Sequence, residues 1–189
     1  MKRLIITISF VLLNSIIAQE ISVDTVWTKT FGGSGYETAF SCQQTIDGGY
    51  IILGRTESYG NGDSDAWLIK TDSQGNEEWN KTYIDGSWSY SVNQTLDGGF
   101  VIVGFKSPFG NEGYPPSGCD VWLIKTDSQG NEEWSRTFGG GSNDQGRSVQ
   151  QTTDGGYVIT GYTDSFGNGD SDVWLIKTDS EGNTVPFGN

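Results

Sequence analysis

The chain has no histidine among its 189 residues. That absence excludes Ser-His-Asp and Cys-His nucleophilic machinery, and the usual zinc sites, because the imidazole that serves as base or ligand is missing. Basic residues are scarce too, 11 Lys and Arg against 24 Asp and Glu, for a net charge of -13. A surface of that sign repels phosphate backbones and anionic lipid, so nucleic acid is not an expected partner. Only 4 prolines accompany 28 glycines, and the glycines recur at regular intervals. This pattern signals many tight turns between short strands. No stretch after residue 20 has helical periodicity, so helices are excluded as the main building element.

The one long apolar run lies at the start. Met1-Lys2-Arg3, the run Leu4 to Leu13, and Asn14-Ser15-Ile16-Ile17-Ala18 have the charged start, short greasy middle and small final residue of a secretory leader. Residues 1–18 are read as a signal peptide cut after Ala18, leaving 19–189 as a repeat domain. The run is too short for a comfortable membrane span, and no cysteine near the cut would accept a lipid. The expected product is secreted or held in the cell envelope, extracellular or periplasmic, with no membrane insertion after cleavage. Losing Lys2 and Arg3 with the leader takes its charge two further units negative.

What is abundant is repetition. Trp-Leu-Ile-Lys-Thr-Asp-Ser-Gln-Gly-Asn runs from Trp67 to Asn76, recurs from Trp122 to Asn131, and returns with one change from Trp174 to Asn183. Asp-Gly-Gly followed by Tyr or Phe stands at Asp47, Asp97 and Asp154, a period of about 50 residues that marks stacked supersecondary units. Each unit parses as four strands. In the first they are Thr38 to Thr45, Gly49 to Thr56, Asp65 to Thr71 and Glu77 to Tyr83, joined by Asp-Gly-Gly and Asp-Ser-Gln-Gly-Asn turns whose glycines supply positive φ. The runs Tyr50-Ile51-Ile52-Leu53 and Phe100-Val101-Ile102-Val103 have no polar alternation, as expected of strands covered on both faces. Trp79 and Trp134 on the fourth strands supply the bulk between units. Cys42 takes the strand position of Val92 and Val149 and reads as a small buried hydrophobe. Cys119 replaces a loop serine, and no bridge between the two is expected.

These motifs resemble those of secreted bacterial β-propellers built from repeats of Asp-Gly-Gly-Tyr, Trp-Leu-Ile-Lys-Thr-Asp-x-x-Gly-Asn and Trp-x-x-Thr-Phe-Gly-Gly. The Asp72, Gly75, Trp79 pattern is also similar to the tryptophan-docking motif of quinoprotein-type propellers, with a spacing one residue shorter. The resemblance implies an all-β fold, a propeller of three four-stranded antiparallel blades. Val26 to Phe31 matches the fourth strand of a repeat, so it would complete the last blade, where Pro186 weakens the local candidate. Because closed propellers carry about 4 to 8 blades, three units imply a partial ring, a fragment, or a homodimer completing a six-bladed ring. The alternative fold is a β-trefoil.

Comparison of the repeats places function on loops. The connection after the second strand is five residues longer in the middle unit, and the linkers between units vary, while the other turns keep length and residues. Both variable connections leave an antiparallel blade at one rim, where recognition residues collect. That rim would display Tyr36, Trp88, Tyr114 and Asn143 as candidate binding residues. Gly-Asn-Gly-Asp-Ser-Asp, at Gly60 to Asp65 and Gly167 to Asp172, groups hard oxygen donors with flexible glycines. Asp63, Asp65, Asp170 and Asp172 are therefore candidate calcium ligands, with turn capping as the ordinary reading and no other cofactor expected. The expected function is a non-catalytic binding or scaffolding propeller that recognises a carbohydrate or a protein. The alternative is a carboxylate-dependent glycoside hydrolase or lyase of propeller fold.

Overall fold

A computed structural model describes residues 27–60, 64–83, 87–107 and 118–184; the expected leader lies outside them. The described residues form eleven strands and no helix. The first unit contains β1 (Glu37–Gln44), β2 (Tyr50–Thr56), β3 (Asp65–Thr71) and β4 (Glu77–Tyr83). The second contains β5 (Ser87–Gln94), β6 (Phe100–Lys106), β7 (Asp120–Thr126) and β8 (Glu132–Phe138). The third contains β9 (Asp144–Gln151), β10 (Tyr157–Thr163) and β11 (Asp172–Thr178). Each unit is one antiparallel sheet with strands in chain order, so the sheets have four, four and three strands.

The continuous apolar runs explain how the sheets stack. On β2 and β3, Ile51, Leu53, Ala66 and Leu68 point to one side, where they meet Val92, Phe100, Ile102, Trp122 and Ile124 of the second sheet. The alternate residues of that sheet, Val101, Val103, Val121 and Leu123, point the other way onto Val149, Tyr157, Ile159 and Ile176 of the third. Strand periodicity of two thus divides one hydrophobic run between two interfaces. Burying a leucine or isoleucine contributes roughly 2 to 3 kcal/mol, so each junction holds several such contributions. The first strands β1, β5 and β9 are neighbours, and β5 and β9 also pack on the second and third strands of the preceding sheet.

The fourth strand latches each sheet to the next. Gly130, at φ +74°, leaves the Trp79 indole room to lie over the turn; a Cβ there would sit 2.7 Å from the ring. The Lys81 ammonium donates to Asn131 Oδ1 at 3.0 Å, and the Tyr83 hydroxyl donates to the Gly130 carbonyl at 2.9 Å. Trp134 lies over Gly182 in the same way, edge-on to Tyr157 at 5.7 Å. Asp72, Asp127 and Asp179 hold these turns in shape by accepting from the backbone N–H of the Asn four residues on.

The segment 27–33 reproduces this latch at the start of the stack. Trp27 lies over Gly75 and Tyr50, and Lys29 donates to Asn76 at 3.0 Å. It does not pair with β11, whose only bridge beyond its own sheet joins Thr178 to Thr184 among the described residues. The three sheets do not close on themselves. One expectation is corrected: Cys42 is exposed, because among the described residues no sheet covers the face of β1 on which it lies, and Cys119 is the buried cysteine. Neither cysteine forms a disulfide among the described residues.

Candidate binding site on the first strands and adjoining loops

The first strand of every sheet carries a β-bulge at one register. Pairing skips between Ala39 and Ser41 on β1, between Ser89 and Ser91 on β5, and between Gly146 and Ser148 on β9. The residues that the strand register skips are Phe40, Tyr90 and Arg147, each between a small residue and a serine. A bulge breaks the alternation of the strand and re-aims one side chain. Here three such side chains form a row across adjacent strands. The Phe40 and Tyr90 rings meet edge-on at 5.7 Å, and the Arg147 guanidinium lies 4.1 Å from the Tyr90 ring.

Flanking residues extend the row. Arg147 also lies 5.7 Å from the Tyr162 ring and donates to Gln145 Oε1 at 2.8 Å. Burial raises the Tyr162 phenol above its ordinary value, against the opposing pull of Arg147. Trp88 stacks on Phe105 at 6.0 Å, with Arg55 4.8 Å from the indole, so the expected binding residue Trp88 is half-buried beside the row. The Arg55 Nε is buried with no hydrogen-bond partner among the described residues. The cluster therefore joins aromatic faces to two cationic forks in a chain of net charge -13.

The linkers and the loops after the second strands do lie side by side. Glu57 N–H donates to the Tyr36 carbonyl at 2.9 Å, and Asp164 N–H to the Asn143 carbonyl at 2.8 Å. Tyr36 is 76% exposed at this rim, with Tyr59 and Phe166 also exposed on the adjoining loops. Asn143 faces inward, its Oδ1 accepting from Cys119 N–H at 3.3 Å. Tyr114 and Asp63 lie outside the described residues.

The remaining candidate metal ligands sit apart. Asp65 is buried and turns onto Gly60, leaving no room for a Cβ there. Asp172 does the same at Gly167 and accepts from Asn168 N–H at 2.8 Å. Asp170 is exposed. Among the described residues, no three Asp, Glu or Cys side chains converge as a metal group would require. In the middle unit the equivalent carboxylate, Asp120, faces Gly139 together with Asp144, whose Oδ2 accepts from Gly140 N–H at 2.9 Å and Ser165 Oγ at 2.6 Å. Burial, and then the charge of Asp144, raises the Asp120 carboxyl above its ordinary range.

Sequence reasoning named Trp88 and missed Phe40, Tyr90, Arg147 and Arg55. The available signal was the small-X-Ser frame, which recurs at one repeat position in all three units while X changes from Phe to Tyr to Arg. Neither the protein-family profiles nor the curated proteins gave a match to this chain.

Proposed function

We propose that the chain is a β-propeller array acting as an exported, non-catalytic binding module, with a carbohydrate as ligand at the inner-strand row and its rim. The propeller reading is supported by adjacent first strands, face-to-face sheets and fourth strands that latch outward onto the next unit. Export is supported by the charged, apolar, small-residue order of residues 1–18.

The observation that carries the binding reading is the bulge repeated at one register. It holds the backbone constant while presenting Phe40, Tyr90 and Arg147 side by side. Rigid scaffold with variable side chains is the arrangement expected of a recognition surface. Aromatic faces offer flat apolar platforms for sugar rings, and the arginine forks favour glycans that bear carboxylates. The absence of histidine adds to the non-catalytic reading.

A glycan array with the purified chain, followed by calorimetry on the retained glycans, tests this. Arg147→Ala is expected to weaken binding by about tenfold, the loss of one good contact, without lowering the melting temperature. No product should accumulate from any bound polysaccharide. Failure to retain any glycan would redirect the reading to a protein ligand, and turnover lost in a single Asp→Asn variant would overturn its non-catalytic half.

A further inference from the structure

The stack ends in two apolar faces that have opposite counterparts inside the chain. On the first sheet, Tyr50, Ile52, Trp67, Ile69 and Cys42 line a groove of about 410 Å³ beside Trp27. Their equivalents in the second sheet, Phe100, Ile102, Trp122, Ile124 and Val92, are all buried against the first sheet. On the third sheet, Val173 and Leu175 are 91% and 66% exposed. Their equivalents, Ala66 and Leu68 in the first sheet and Val121 and Leu123 in the second, are at most 1% exposed. One end thus carries the receiving side of a junction already formed twice, with Trp67 and Ile69 buried at the base of the groove and Cys42 exposed, and the other end displays the seated side.

The edges match in the same sense. Trp79 and Trp134 reach the following sheet from the fourth strand of the preceding one, opposite Lys70 and Lys125. Trp27 makes the same contact on Gly75 with no strand pairing behind it among the described residues, while β11 is bridged on its outer edge only at Thr178 there, and the Lys177 side chain is 36% exposed against 5% and 4% for the side chains of Lys70 and Lys125. In the sequence, the repeat position held by Trp79 and Trp134 is a proline, Pro186, in the third unit.

We propose that the occupant of both faces is a second copy of this chain. The first sheet of each copy seats on the third sheet of the other, and the segment beginning at Trp27 pairs with the partner's β11. Two such junctions join six sheets, a number within the range at which propellers close. This assembly does not depend on the binding reading, and its outcome leaves that reading free to stand or fall.

Light scattering and sedimentation of the full chain test it, with maleimide labelling of Cys42, the exposed thiol of the receiving face, as a local reporter. A mass of two chains is expected, with Cys42 labelled slowly. Leu175→Glu changes a side chain that is exposed in the single chain, so folding is preserved and circular dichroism should be unaltered. It buries an unpaired charge in the junction and should weaken the dimer by at least about 100-fold, restoring rapid Cys42 labelling. The proposal is overturned by a monomer at every concentration, by an open series of larger species, or by a dimer indifferent to Leu175→Glu. A monomer with protected Cys42 overturns it as well, since the chain's own residues would then be the cover.

Discussion

Lys125 is 3% exposed yet charged, and its surroundings explain why it is tolerated. Its ammonium meets Asp97 and Glu133 at 2.9 Å each and donates to the Thr126 carbonyl at 2.8 Å, clamping the β5–β6 turn to β8. Burial opposes the charge, but Asp97 and Glu133 outweigh it and raise the Lys125 value above 10.5. Burial likewise opposes ionisation of Asp97, and the hydrogen bonds from Thr95 and Lys125 outweigh it, lowering the value from 3.8 to about 2. A depressed carboxyl contributes stability that is present above pH 3.8 and fades as pH falls through about 2. Lys125→Met should therefore cost about 1 to 3 kcal/mol at neutral pH, reduced from a fully buried pair because both acids remain half in water. Denaturant titrations of both proteins should show the gap narrowing from about pH 4 to about pH 2.

Asp120 has the opposite sign. Its carboxyl value is raised above the ordinary 3.8, so its penalty is present at neutral pH and disappears as pH falls below that value. Asp120→Asn removes the repulsion from Asp144 and supplies a donor to its carboxylate. The variant should melt higher than the parent at pH 7, and the two melts should converge in acid. A lower melt for the variant, with chelator lowering the parent to match, would mean that a cation bridges the two carboxylates.

At the scale of the element, the latch and the bulge differ in how openly the sequence declares them. The latch was legible: β3 and β4 fall at the expected Asp65–Thr71 and Glu77–Tyr83, because alternation, turn glycines and a repeated tryptophan all fix the same register. The bulge was not, since one residue skipped by the pairing leaves the flanking pattern nearly intact, and the aromatic Phe40 and Tyr90 share no side-chain type with Arg147. Loop length drew attention to the rim, whereas the re-aimed side chains lie just inside it. Cys42 was misplaced for a related reason: its position is buried wherever a sheet precedes it, as at Val92 and Val149, and no sheet precedes β1 among the described residues. The latch itself should respond to position. Trp134→Ala, at an internal junction against Tyr157, should cost about 3 kcal/mol in denaturant titration, and Trp27→Ala on the terminal face distinctly less.

For the whole molecule, the three sheets are not equivalent even though their sequences nearly are. Among the described residues the middle sheet packs against another sheet on both faces, whereas each outer sheet does so on one. In an array whose members touch only their neighbours, each sheet's resistance to opening is set by how many junctions must break at once. A lone chain would then loosen from its ends while the centre persists, in stages. Joining the ends gives every sheet two neighbours, so that local fraying is replaced by a cooperative collapse of the entire assembly.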